Sequence, residues 1–107
     1  FVQGELPRRE LVAIVGTRAA RLRHTAQAAR LAAALAAGGV GILSGGALGI
    51  DAAAHEGALE ARGVTVAVLG SGLDRRYPPG NAGLFERITR RSALVSAFPP
   101  GTPPPIS

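Results

Sequence analysis

Three times along this chain a short aliphatic run stops at glycine, and each time helix-forming sequence follows. The runs are Leu11-Val12-Ala13-Ile14-Val15, ended by Gly16; Val40 to Leu43, ended by Ser44-Gly45-Gly46; and Val64 to Leu69, ended by Gly70-Ser71-Gly72. A run that is apolar on both faces reads as a buried strand of a parallel sheet. The first helix is expected from Thr25 to Ala37, a stretch free of glycine and proline, with Thr25 as N-cap and Gly38-Gly39 as the stop. A second should run from about Gly49 to Arg62 and end at Gly63. After a turn at Tyr77-Pro78-Pro79-Gly80, Asn81 caps a third that reaches about Arg91. Ala93 to Ser96 reads as a short fourth strand, and the prolines of 98–105 can continue neither element.

Strand and helix alternating in this way predict an α/β fold with a doubly wound, mostly parallel sheet, linked by right-handed crossovers. The runs at 11–15, 40–43 and 64–69 should be adjacent parallel strands, the first of them central. Helices on both faces would complete a three-layer α/β/α arrangement. Residues 1–10, broken by Gly4 and Pro7, form an entry segment, 11–97 the core, and 98–107 a proline-rich tail. A chain of 107 residues suits one such domain, burying roughly two-thirds of the surface that its unfolded form exposes.

Composition narrows the chemistry. There is no cysteine, which excludes disulfides and thiolate sites, and two histidines, His24 and His55, make a poor metal set. No metal and no cofactor are expected. All twelve basic residues are arginine against seven acids, a net charge of +5 that favours a polyanionic partner such as nucleic acid. No stretch approaches the ~20 apolar residues of a membrane span, so no membrane partner is expected. No export signal is visible, and cytoplasm is the default location. The start at Phe1 and the lack of methionine suggest a piece of a longer protein.

In parallel sheets ligands bind beyond the carboxyl ends of the strands. Three glycine loops fall there: Gly16-Thr17-Arg18, Ser44-Gly45-Gly46 continuing to Gly49, and Gly70-Ser71-Gly72. Glycine lets backbone N–H groups approach an oxyanion, a helix N-terminus adds a favourable dipole, and hydroxyls and a guanidinium complete a phosphate grip. One such loop alone is more often only a tight turn; three on one sheet edge favour phosphate. None matches a dinucleotide or ATP fingerprint, since Gly70-Ser71-Gly72 lacks the third glycine and no lysine exists. Asp51 and His55, four apart on one helix, could form a hydrolytic triad with Ser44. Ser44 lacks a nucleophile elbow, however, and Asp51 is well explained by the helix dipole. Arg87, Arg90 and Arg91 read as a solvated helix face. Arg75 and Arg76 beside Tyr77 could receive a stacked base.

Taken in order, Val12-Ala13-Ile14-Val15-Gly16-Thr17-Arg18, Ser44 to Asp51 with Ala54-His55, Ala67 to Asp74 with Tyr77-Pro78 and Asn81, and Ser96 with Phe98-Pro99-Pro100-Gly101-Thr102 and Pro104 resemble the DNA-processing protein A (DprA/Smf) family. The resemblance covers nearly the whole chain. It implies a Rossmann-like domain that binds single-stranded DNA and helps to load the RecA recombinase, in natural transformation above all. No activated nucleophile, pair of carboxylates or metal cluster is visible, so no enzymatic activity is expected; a homodimer is an expectation for the full-length protein alone, and the family's self-association surface is not carried over to this chain. The family pocket falls on Gly16, Thr17 and Arg18 and on Ser44, Gly45 and Gly46. Ala97 stands where the family usually has Glu, and Val64 where it often has a basic residue. The family's Phe-Pro-x-Arg-Asn-Arg segment would follow Ser107. The alternative is a nucleotide-binding or nucleotide-hydrolysing Rossmann-like domain of the lysine-decarboxylase-like class, whose Pro-Gly-Gly-x-Gly-Thr-x-x-Glu signature is not found here.

Overall fold

The computed structural model describes residues 1–105. Five strands form one sheet: β1 (Val2–Gly4), β2 (Leu11–Ala13), β3 (Gly41–Gly45), β4 (Thr65–Leu69) and β5 (Ala93–Ser96), in the order β1-β5-β4-β3-β2. The strands β2, β3, β4 and β5 are mutually parallel, and β1 joins β5 antiparallel. The three aliphatic runs are thus adjacent and parallel as their composition predicts. The entry segment adds a strand that three residues could not announce.

Three helices connect them: α1 (Leu22–Ala37), α2 (Ile50–Glu60) and α3 (Ala82–Arg91), the last preceded by a 3-10 turn at Pro79–Asn81. Thr25 is not the cap of α1. The helix begins a turn earlier after Arg21, and the Thr25 hydroxyl donates to the Leu22 carbonyl at 2.8 Å from inside it. A threonine can cap or back-bond, and nothing in residues 22–24 forbids helix.

The first run is not central, and of its five residues only Ile14 is buried. β2 spans only Leu11–Ala13, pairs with β3 alone, and is exposed along its length. From β2 the chain steps to β3, β4 and β5 always in one direction, and successive right-handed crossovers in one direction put their helices on one face. The packing follows. Ile14 and Ile42 meet Ala28, Ala32, Ala36, Ala54 and Ala58 of α1 and α2, while Ala67, Leu69 and Leu94 meet Leu84, Phe85 and Ile88 of α3. Val2, Val68 and Val95 share the opposite face by register, where Val68 remains 44 % and Val2 48 % exposed. Residues 1–105 therefore supply the sheet and one helical layer of the expected three. Helices would reach the second face only where the strand order reverses.

The α1–α2 contact is made of small residues. At Gly57 an added Cβ would lie 2.1 Å from the Ala29 carbonyl oxygen, so the backbones nearly touch there. Among the described residues, no helix is long and apolar enough to cross a membrane.

Candidate functional site

The loops that follow β2, β3 and β4 converge at the carboxyl edge of the sheet, and backbone packing holds the first two together. A Cβ on Gly16 would collide with the Ile50 side chain at 2.7–2.9 Å. Gly49 adopts φ +82°, where a Cβ would meet the Thr17 carbonyl oxygen at 2.5 Å. The Ile50 N–H donates to that same oxygen at 3.3 Å. Gly16 and Gly49 are therefore joints that dock the Thr17-Arg18 turn on the start of α2. Thr17 accepts the Ala19 N–H at 3.1 Å, which leaves its own hydroxyl proton free.

Behind the loops lies a cleft of about 310 Å³, and Arg18, Gly45, Gly46, Gly70 and Ser71 are among the residues that line it. Ala47, Leu48, Asp51, Leu69, Tyr77 and Pro78 add a largely apolar wall, and Pro104 and Pro105 of the tail close one side. Gly46 is pressed on the core, since a Cβ there would be 2.8 Å from Leu69 Cδ2 and 2.9 Å from Phe85 Cζ. Asn81, expected as a helix cap, makes no capping bond. Its Nδ2 donates to the Gly46 carbonyl at 2.9 Å and pins the loop.

Three groups expected to hold phosphate are committed elsewhere. The Ser44 hydroxyl is buried and donates to the Ile14 carbonyl. The Ser71 hydroxyl, 2 % exposed, donates to the Arg75 carbonyl at 2.8 Å. The Gly72 N–H donates to the Thr102 carbonyl at 2.9 Å. Strand-end hydroxyls under a loop take the nearest carbonyl because a buried donor without an acceptor is costly. The third loop is thus latched to the tail, which adds a 2.7 Å bond from the Gly101 N–H to Asp74 Oδ1. Arg18 is exposed, whereas the ion pairs among the described residues tie Arg76 to Glu86 and Arg87 to Glu56.

No hydrolytic triad forms. His55 is fully buried, with Nε2 2.8 Å from the Gly45 carbonyl and Nδ1 2.6 Å from Thr65 Oγ1. The carbonyl can only accept, so Nε2 carries the proton and the Thr65 hydroxyl donates to Nδ1. Both nitrogens are spent on structure, and Ser44 faces Ile14 rather than the imidazole. Burial pushes the His55 pKa below its ordinary value; the Gly45 carbonyl, Asp51 and Glu56 pull it partly back. Among the described residues no cluster of three or more His, Asp or Glu is arranged to hold a metal ion.

A family model described as DNA recombination-mediator protein A matches residues 1–106. A putative DNA processing protein DprA of Mycobacterium tuberculosis is 50% identical over 92 residues, which is 86% of this chain and 24% of that protein. Protein Smf of Escherichia coli is 41% identical over 97% of this chain and 29% of its own length. The chain spans about a quarter of the length of these curated relatives. The fold superimposes on DNA processing protein A of Helicobacter pylori with a TM-score of 0.87, 32% identity, and coverage of 97% of this chain and 48% of that one. That structure concerns its protein's single-stranded DNA binding mode. DprA of Streptococcus pneumoniae gives a TM-score of 0.83 at 34% identity, over 98% of this chain and 38% of that one. The molybdenum cofactor carrier protein of Chlamydomonas reinhardtii gives 0.53 at 32% identity over 58% of this chain and 41% of its own. With its whole described length matched and its sheet Rossmann-like throughout, the chain belongs to the DNA recombination-mediator protein A family of the DprA and Smf proteins.

Proposed function

We propose that this chain binds single-stranded DNA by its phosphates, without turnover, as part of a recombination mediator. The observation that carries the reading is Arg18: an exposed guanidinium lines the cleft with Gly45 and Gly46 and lies outside both ion pairs. Gly16 and Thr17 complete the first grip, and Gly49 sets its position. Gly70 borders the cleft, while Ser71 and Gly72 act as scaffolding for the loop. The H. pylori relative's single-stranded DNA binding supports the same ligand here. RecA as recipient of the strand, a homodimer as the working unit and the cytoplasm as location rest on the family alone.

In an oligothymidine titration, Arg18→Ala should weaken binding about tenfold, the lower end for a lost hydrogen bond to a charged group. The slope of log affinity against log salt should flatten by about 0.7, one phosphate contact on a single strand. Arg30→Ala, exposed on α1 away from the cleft, should change neither quantity appreciably. Equal behaviour of the two variants would move the site elsewhere. The second reading is a small nucleotide in the same cleft, and the likeness to a molybdenum cofactor carrier protein supports a small ligand in place of a strand. In that case a nucleoside monophosphate would displace the oligonucleotide stoichiometrically. Steady release of free base that is lost in Asp51→Asn would overturn the non-enzymatic reading.

A further inference from the structure

The positive charge of the chain is unevenly spread. Between Glu10 and Asp51 there is no acidic residue, yet the same stretch carries Arg18, Arg21, Arg23 and Arg30. The remaining arginines share the rest of the chain with all seven acids, so nearly the whole excess of +5 lies on the segment that holds β2, the turn after it and α1. Three of these arginines sit where that segment passes the cleft. The turn at Arg18-Ala19 leads into an extended Arg21, and α1 begins at Leu22. Three residues of chain reach at most about 11 Å, so Arg21 starts close to the Arg18 that lines the cleft. Arg18, Arg21 and Arg23 are all exposed, and the ion pairs among the described residues involve none of them.

Helix stability does not account for Arg21 and Arg23. A helix N-terminus is its positive end and favours acids in the first turn. The first turn of α1 has no acid, no side chain caps it, and arginine stands both at its N-cap and at its second residue. Local preferences are commonly broken where function compensates. The apolar residues interleaved here fit the same purpose. Leu22 at 85 % and Val15 at 71 % are the most exposed large apolar side chains among the described residues. Cations alternating with apolar side chains suit a single strand, whose phosphates run beside uncovered sugar and base faces, whereas a duplex keeps its base faces stacked inside. We infer, resting on the single-stranded DNA reading, that the strand held by Arg18 leaves the cleft across the start of α1, where Arg21 and Arg23 take the next phosphates and Val15 and Leu22 carry its apolar side. Arg30, roughly 10 Å further along the helix than Arg23, lies outside this path.

The test is an oligothymidine titration of the full chain by fluorescence anisotropy at several salt concentrations. Arg21→Ala/Arg23→Ala should weaken binding about tenfold at low salt and flatten the slope of log affinity against log salt by about 1.4, two phosphate contacts. Neither arginine caps the helix and alanine is the best helix former, so the fold should survive the change. Arg8→Ala/Arg9→Ala is the charge-matched control. It removes two exposed cations from the entry segment beside Val64, at the far edge of the sheet, and should leave the slope unchanged. Leu22→Ala should weaken binding about threefold with no change of slope, as partial cover of one leucine implies. A double variant no worse than the charge-matched control, one that weakens binding without altering the slope, or a Leu22→Ala equal to wild type overturns the path. The phosphate grip of the cleft still stands in each of those cases if Arg18→Ala weakens binding. Failure of every form to bind overturns the single-stranded DNA reading, and the path with it.

Discussion

Gly57→Ala will destabilise the fold by about 3 kcal/mol or more, at the upper end of overpacking costs. On helix propensity alone the same change would stabilise by up to about 1 kcal/mol, so the sign of the result separates the two effects. The new methyl would lie 2.1 Å from the Ala29 carbonyl oxygen and 2.8 Å from its Cα and carbonyl carbon. All three are backbone atoms, so no rotamer change relieves the clash and the helices must move apart. Ala32, Ala54 and Ala58, each 0 % exposed, would lose contact as they do. Against a total stability of about 5–15 kcal/mol this is a large fraction. Urea denaturation followed by circular dichroism reads it as a fall in midpoint of about 1 M or more at the usual m-values. Gly83→Ala on α3 is the control, since its Cβ meets nothing within 4 Å and should stabilise slightly. An unchanged midpoint for Gly57→Ala would show that the helices are not in backbone contact.

His55→Ala should cost a similar amount by a different route. It removes the donor from the Gly45 carbonyl and the acceptor from the Thr65 hydroxyl, both inside the fold. Each orphaned group is worth about 1–3 kcal/mol. Because burial lowers the imidazole pKa in the folded state, the unfolded chain holds a proton that the folded chain refuses as pH falls below 6.5. Stability is therefore full above that value. It declines on acidification at up to about 1.4 kcal/mol per pH unit, and the decline stops once the folded pKa is passed. The Gly45 carbonyl and the negative charges of Asp51 and Glu56 favour the protonated ring and reduce the size of the effect. Thermal melts between pH 5 and pH 8 should show this slope in the wild type and a smaller one in His55→Gln. A slope unchanged by the substitution would mean that another group titrates.

The three strands β2, β3 and β4 were legible because each aliphatic run gives way to a glycine loop, and the βαβ alternation followed from that spacing. Their neighbours were not. Leu11-Val12-Ala13 is as apolar as Thr65–Leu69, yet one lies at an edge and the other inside, since only the direction of each crossover decides. Val2–Gly4 pairs with residues some 90 positions away, beyond the reach of any local pattern. In the cleft, Arg18, Gly45 and Gly46 could be placed from their position after strands. Ser44 and Ser71 could not, because whether a hydroxyl faces a ligand or a neighbouring carbonyl is set by packing. Asn81 reaches Gly46 across 35 residues, and its composition signal, a cap before a helix, pointed to another role.

The seam between α1 and α2 also bears on what the cleft stands on. Alanine and glycine have no side-chain rotamers to freeze, so closing a contact through Ala28, Ala32, Ala36, Ala54, Gly57 and Ala58 costs no side-chain conformational entropy. A seam of leucines would bury more area but would give up about 0.5–1 kcal/mol per side chain in lost rotamers. With no rotamers to exchange, the seam has few alternative packings of similar energy. The α2 N-terminus, which carries Gly49, Ile50 and Asp51 to the cleft, is therefore set on a base with one arrangement.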